Sequence, residues 1–447
     1  MTDGNGISSL WKTEDWWAVW LGLGIVLVAI GFFMGGSTLE PLAVSPPRDW
    51  TAGSSVVSHF AAAWGRYILL FVVFGVIFTV STAIMGHRVR EYLPGFTLIY
   101  LVSVLILVVS QSRFFHTYSL EAPLVALILG LVVGNAVPLP GWLDASLRTE
   151  YYIKTGIVLL GATLPLTAIV TAGPVAFLQA TIVSVSTWLV MFFVGTRVFG
   201  LDKRFGAVLG AGGAVCGVSA SIAVGGAVKA DKEHVAISIS IVSLWALVMI
   251  FFLPLASKAL GLHPGVAGAW IGTSEFADAA GYAAAQTIAS NTGTEAAIQT
   301  FTLMKVIGRD IWIGIWAFVL AIVSTTMWER ADGGEGGRVG AGVIWGRFPK
   351  FVIGFFLASV IVSVLVANAP AEMSGDISAR LIAPIKTLRT WTFVFTFLCI
   401  GLTTRFRELA RFGMPPFWAF TVGVLVNVPL GFFLSTVVFK SYWMAVQ

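Results

Sequence analysis

The amino-acid sequence predicts an all-α polytopic membrane protein of about thirteen transmembrane helices, with inverted repeats and interrupted helices. Composition is the first reason. Of 447 residues, 57% are hydrophobic and 11% charged, where a soluble chain is about 25% charged; mean hydropathy is +0.90. Length is the second, because a spanning helix needs about 20 mostly apolar residues, and such stretches recur from Trp16 to the C-terminus. The third is an internal similarity between two distant stretches. No polar block is large enough for a separate soluble domain, so a single membrane domain is expected.

In order, the candidate spans fall near residues 16–34, 64–86, 93–111, 121–137, 150–170, 175–199, 206–228, 234–257, 264–290, 300–327, 343–368, 384–404 and 415–438. The first follows Glu14 and Asp15 and lacks the small-residue cleavage pattern of a secretory signal, so it is expected to remain as a membrane helix. With the N-terminus inside, fourteen Arg and Lys residues fall in cytoplasmic loops, Arg88, Arg148, Lys203, Arg330, Arg338, Arg347, Lys350, Arg405, Arg407 and Arg411 among them. The opposite side holds seven: Arg48, Arg66, Arg113, Lys229, Lys232, Arg380 and Lys440. This bias obeys the positive-inside rule and places the C-terminus outside a bacterial inner membrane. The formal charge of +5 is thereby explained by topology and implies no nucleic-acid partner. Cys216 and Cys399 both lie in apolar stretches, which indicates neither a disulfide framework nor a zinc pattern.

Gly161, Thr163, Ile169 and Gly173 recur at the same spacings as Gly401, Thr403, Leu409 and Gly413, an offset of 240 residues. Upstream, Val133-Gly-Asn135-Ala resembles Val366-Ala-Asn368-Ala in the same order. Seven spans separate the starts of the two copies, and an odd number inverts the second, as in many secondary transporters. Chance similarity between Gly-rich helices is the competing explanation. The expected organisation is a two-helix N-terminal extension, 1–92, followed by a transporter core, 93–447, with copies around 121–199 and 351–438.

The chemistry is expected in three stretches. Gly210-Ala-Gly212-Gly213-Ala-Val-Cys216-Gly217-Val-Ser219-Ala-Ser221 reads as a broken helix, since clustered glycines weaken a continuous one. A half-helix starting inside the membrane offers free N–H groups and a positive dipole end to an anion, with Ser219 and Ser221 as further donors. The same letters also suit close helix packing through small residues. Cys216 has no histidine near it in sequence and is read as a cavity-lining residue.

The second stretch, Gly272-Thr273-Ser274-Glu275-Phe-Ala-Asp278-Ala-Ala-Gly281, sets two carboxylates in an otherwise apolar span. Acids at bilayer depth are costly and mark ion or proton paths. If the segment is helical, Glu275 and Asp278 share a face; if its start is a solvated loop, they are ordinary surface groups. In the third, Lys305 and Arg309 are four apart and Asp310 follows. Lys305 is read as a partner for a carboxylate of the preceding span, and Arg309 with Asp310 as a static pair. Arg405, Arg407 and Arg411 read as orientation charges, and Asp332-Gly-Gly-Glu-Gly-Gly-Arg338 as a flexible linker.

The sequence also resembles the YeiH-type family, whose members are taken to be sulfate exporters. The resemblance lies in Gly200-Leu-Asp202-Lys203, the Gly210 to Ala220 stretch with Cys216-Gly217, Val228-Lys229-Ala, Leu253-Pro254-Leu, Gly272-Thr273-Ser274 and Gly401-Leu-Thr403-Thr404. It covers roughly residues 121–440 and implies crossed, interrupted helices in a fold related to cation/proton antiporters and sodium–bile acid symporters, with an elevator movement. This chain departs from the family's His-Asp-Val-Ala-Gln-like segment: Asp278 takes the acidic position after a one-residue insertion, and no histidine is present. Lys305 stands where the family has arginine, and two additional spans precede the matching region.

The expected function is secondary transport of a small anion such as sulfate, sulfite or an organosulfonate, coupled to H⁺ or Na⁺, without a cofactor or metal, in a protein able to form a homodimer. The substrate residues are expected to be Gly212, Gly213, Cys216, Gly217, Ser219, Ser221, Thr273, Ser274 and Lys305, and the ion-coupling residues Glu275, Asp278, Arg309 and Asp310. A cation/proton antiporter is the rival reading. A membrane-embedded enzyme is disfavoured because His59, His87, His116, His234 and His263 are scattered and form no HExxH-like pattern.

Overall fold

A bilayer offers backbone groups no water, so a spanning segment must pair its own N–H and C=O groups, which a helix does. The computed structural model describes residues 9–117, 122–163, 166–328, 349–370, 373–405 and 413–446. The predicted linker Asp332–Arg338, the charges Arg330, Arg347, Arg407 and Arg411, Leu409 of the repeat, and the start of the predicted span 343–368 lie outside the described residues.

The longer helices in chain order are α1 Glu14–Met34, α2 Gly53–Ile84, α3 Val89–Ser110, α4 Ala122–Ala136 and α5 Thr149–Gly161. There follow α6 Leu166–Phe193, α7 Lys203–Ala214, α8 Val218–Ala227, α9 Lys232–Ala259, α10 Pro264–Ser274 and α11 Asp278–Thr292. The last are α12 Ala296–Thr302, α13 Trp312–Val323, α14 Lys350–Asn368, α15 Ala383–Thr403 and α16 Met414–Phe433. Among the described residues nine helices are long and apolar enough to cross a membrane. The segments predicted at 121–137, 150–170, 206–228 and 264–290 are shorter or interrupted helices.

Two boundaries differ from expectation. The predicted turn near 170–175 lies inside α6, which runs through Pro174. A proline forfeits one backbone hydrogen bond, and in a membrane helix neighbouring groups can compensate for it. The segment 264–290, read as one span, is broken at Glu275 to Ala277, so Glu275 and Asp278 do not share a helix face.

The chain forms two compact units. One comprises Met1–Leu166 and Lys350–Arg405, the other Thr167–Pro349 and Phe406–Gln447. The first unit thus takes α4 and α5 from one repeat and α14 and α15 from the other. Within it Gly161 at the end of α5 lies against the Phe355 carbonyl of α14, while Gly401 near the end of α15 lies against Leu127 and Gly130 of α4. Each of the two similar stretches thus sets its glycine against a helix of the other. Asn135 and Asn368, the upstream matches, each donate to the carbonyl four residues back, at 2.9 and 2.8 Å.

The second unit takes α6 and α16, and both end in a π turn, at Val194–Val198 and Leu434–Val438. The offset is again 240 residues. Thr196 and Thr436 make the same 2.7 Å bond to the carbonyl four residues earlier. Thr-to-carbonyl bonds four residues back are common in the helices of this chain, so the correspondence rests on the shared offset of the two π turns.

The N-terminal helix α1 belongs to the first unit by both packing and charge. Gly22 of α1 and Gly354 of α14 close on Val158 of α5. Lys154 of α5 pairs with Asp15 at 2.8 Å and Glu150 at 3.2 Å. Asp15 Oδ2 also accepts from the Lys350 backbone N–H at 3.1 Å, capping the start of α14, and Glu14 pairs with Arg148. Lys154→Met is expected to lower stability by about 2 kcal/mol, because it leaves partly buried carboxylates unpaired. Thermal unfolding of both single variants, Lys154→Met and Asp15→Asn, and of the double variant checks this. If the paired charges couple, the double variant loses less than the sum of the singles.

Candidate functional site

The second unit contains two half-helices that enter its interior and stop there. Helix α7 starts where the Asp202 carboxylate accepts from the N–H groups of Arg204 and Phe205, at 2.8 and 3.2 Å. It is buried from Phe205 to Ala214. Helix α10 starts at Pro264, whose missing N–H costs nothing at a first helical position, and is buried from Gly265 to Ser274. Trp188 and Trp316 stack at 4.6 Å beside α7 and α8 within the core of this unit.

Backbone geometry ends both half-helices. At the first break, Gly217 has φ +63°, a left-handed conformation that favours glycine. A Cβ there would also stand 2.6 Å from the Phe276 carbonyl, which belongs to the second break. At the second, Glu275 and Ala277 are extended before α11 begins at Asp278. The two breaks therefore touch.

A helix leaves its last carbonyls without intrahelical donors and carries a partial negative charge at that end. Two such ends meet here, and two cations serve them. The Arg309 guanidinium donates from Nε to the Ala214 carbonyl at 3.3 Å and from Nη2 to Gly213 at 3.3 Å. Its Nη1 donates to the carbonyls of Gly272, Thr273 and Glu275 at 3.2, 2.7 and 2.9 Å. Lys305 Nζ donates to the Val215 carbonyl at 2.9 Å and to that of Glu275 at 3.2 Å. Both residues belong to the π turn Leu303–Arg309, in which the Asp310 N–H reaches back five residues to Lys305. Both are fully buried.

The carboxylates lie at the other polarity. Glu275 Oε1 accepts from the N–H groups of Phe276 and Ala277 at 2.8 and 3.2 Å, ahead of α11. Its Oε2 is buried without a hydrogen-bond partner in the structure. Glu275 is fully buried, so the solvated-loop reading of this segment does not hold. Asp278 is the first residue of α11, where a negative charge meets the positive end of the helix dipole, and its Oδ1 lies 3.4 Å from Lys305 Nζ. Asp310 is fully buried next to Arg309 in sequence. The N-terminus of α8 has no side-chain cap.

Of the residues singled out from the sequence, the breaks bring together Gly213, Cys216, Gly217, Thr273 through its carbonyl, Glu275, Asp278, Lys305 and Arg309. Ser219 is the second residue of α8 and half-buried. Other predicted donors bond or pack elsewhere. Ser221 Oγ lies 2.9 Å from Ser238 Oγ of α9, and Gly212 packs against Ser221. Thr273 Oγ1 donates to the Trp270 carbonyl of its own helix at 2.9 Å. Ser274 is fully buried, and its hydroxyl faces Gly431 of α16. Sequence reasoning missed the carbonyls of Ala214 and Val215 and the backbone of Phe276, for which no side-chain signal exists. It also missed Ser238, whose signal was a hydroxyl in an apolar span.

A family model described as conserved hypothetical protein 698 matches residues 94–419. A UPF0324 membrane protein of Rhodopirellula baltica is 32% identical over 410 residues, covering 90% of this chain and 73% of that one. A UPF0324 membrane protein of Nitratidesulfovibrio vulgaris is 33% identical over 377 residues, and the chain spans 63% of its length. One from Nitrosomonas europaea is 29% identical, with 91% of both chains covered. No solved structure matches the chain.

Proposed function

The chain belongs to the family of conserved hypothetical protein 698, the UPF0324 or YeiH-type membrane proteins, and on that premise we propose that it is a secondary transporter of a small anion. The observation that carries the reading is the Lys305–Asp278 pair, 3.4 Å apart where two broken helices meet. Broken helices at bilayer depth are a recurrent way to hold substrates and coupling ions. The N-terminus of α8, free of a side-chain cap, supplies amides and a positive dipole end. Lys305 adds a full charge beside the same break. Sulfate, sulfite and organosulfonates fit such a site by charge and by their acceptor oxygens. The protein sits in a bacterial inner membrane with its N-terminus inside, and the core moves in elevator fashion.

Coupling follows from charge. When Asp278 is ionised it pairs with Lys305 and repels an anion; when it is protonated Lys305 is released to hold the anion. Anion affinity therefore falls as pH rises. Asp278→Asn is expected to flatten that dependence and keep the low-pH affinity throughout. Anion-dependent thermal stabilisation of purified protein at two pH values measures it, since a ligand at a hundredfold excess over Kd adds about 2.7 kcal/mol. Unchanged pH dependence in the variant removes Asp278 from the coupling role.

One observation favours a second reading, cation/proton antiport. Glu275, Asp278 and Asp310 outnumber Lys305 and Arg309 in this buried region, and a bound Na⁺ or H⁺ would offset the excess. Stabilisation by Na⁺ with no response to any anion decides for it.

A further inference from the structure

The first unit carries a feature that the transport reading does not use. Helices α1 and α2, the connecting segment 35–43 and α15 enclose a groove of about 220 Å³ whose lining includes Trp20, Gly24, Val28, Leu39, Val73 and Leu388. The lining is almost wholly apolar. Gly24 leaves open space where any other residue would place a Cβ. From Trp20 to Val28 the groove follows about 12 Å of α1 at 1.5 Å per residue, an elongated shape suited to an extended hydrocarbon chain.

Its mouth is charged. The segment 36–41, which contributes Leu39 to the lining, is held by two arginines. Arg380 Nη2 donates to the Gly36 carbonyl at 2.6 Å, and Thr38 Oγ1 donates to the Arg380 carbonyl at 2.6 Å. Arg66 donates from Nε to the Pro41 carbonyl at 3.3 Å and from Nη2 to Glu40. A guanidinium carries five N–H donors, and neither arginine commits all of its donors in these bonds. Arg66 directly precedes the apolar run that starts at Tyr67, and exposed Trp64 lies two residues earlier. Trp and Arg at the border of an apolar run mark the headgroup level of a bilayer. Glu40 cancels one of the two positive charges, leaving a net positive mouth above an apolar groove.

We propose that this groove holds one anionic phospholipid, with an acyl chain along α1 between Trp20 and Val28 and its phosphate on Arg66 and Arg380. Arginine matches phosphate through paired charge-assisted hydrogen bonds, and the groove takes the chain that the surrounding bilayer supplies. The lipid ties α1 and α2 to α15 in the first unit. This gives the N-terminal helices a role in that unit that does not depend on the transported substrate.

The test uses the full chain reconstituted in phosphatidylcholine vesicles with and without phosphatidylglycerol, then re-extracted in detergent for native mass spectrometry. The expected result is one phosphatidylglycerol retained per chain, about tenfold over phosphatidylcholine, the scale of one charge-assisted contact. Arg66→Gln/Arg380→Gln is expected to bring retention down to the phosphatidylcholine level. Gly24→Phe, which fills the groove, is expected to abolish retention of both lipids. Equal retention of the two lipids by the unaltered chain overturns the proposal and needs no variant to fold. So does lipid still held by Gly24→Phe, or a dimer whose second copy covers this face and is lost in that variant.

Discussion

Arg309→Gln is expected to destabilise the purified protein by about 3–5 kcal/mol and, on the proposed function, to abolish transport. The guanidinium serves five carbonyls drawn from the ends of α7 and α10. Removing it strands those acceptors at the meeting of two negative dipole ends, and each buried polar group left unpaired costs about 1–3 kcal/mol. Glutamine brings one amide and no charge. Arg309→Lys is expected to fall between, because an ammonium keeps the charge but lacks the planar fork that reaches both helix ends. Thermal unfolding in detergent ranks the three proteins. A loss below 1 kcal/mol for the glutamine variant would mean that water already satisfies these carbonyls and that the crossing is wet.

Gly401→Leu is expected to prevent stable assembly of the first unit, with a loss of about 3 kcal/mol or more. A Cβ at Gly401 would lie 2.5 Å from the Leu127 carbonyl oxygen, 2.6 Å from the Leu131 nitrogen and 2.7 Å from Gly130 Cα. All three obstacles are backbone, so no rotamer change relieves them and α4 and α15 must separate. Small residues at helix contacts are the usual means of close approach in membranes, where apolar burial between helices gives little drive. Gly401→Ala is expected to cost about 1–3 kcal/mol. Folded yield and melting temperature of the two variants measure the effect; a leucine variant that melts with the parent would show that the helices part freely here.

Much of this architecture was legible in the sequence, and the reasons differ by element. Apolar runs of membrane length announce helices regardless of tertiary context, and the 240-residue spacing led to two glycines that both sit at close helix contacts in the first unit. The Gly210–Gly217 break was readable because glycine weakens a helix by itself. The break at Glu275–Ala277 was not, since nothing in Glu-Phe-Ala opposes helix; it forms where Glu275 takes the N–H groups of Phe276 and Ala277 onto its own side chain. Likewise the partners of Arg309 are carbonyls, which every residue possesses, so spacing could suggest Asp310 but not five backbone oxygens. Ser221 illustrates the converse. A hydroxyl placed to bind an anion is, in the fold, as useful for joining α8 to α9, and sequence alone does not separate the two.

The π turns at the ends of α6 and α16 also bear on the internal similarity of the chain. A π turn holds one residue more than the α-helical turn it replaces, so it enters a helix as a single insertion. The same extra residue at Val194–Val198 and Leu434–Val438, 240 positions apart, is what a single insertion copied with the rest of a repeat would leave. If the two halves are copies, that insertion predates the duplication, and a half-length chain would already have ended this helix in a widened turn.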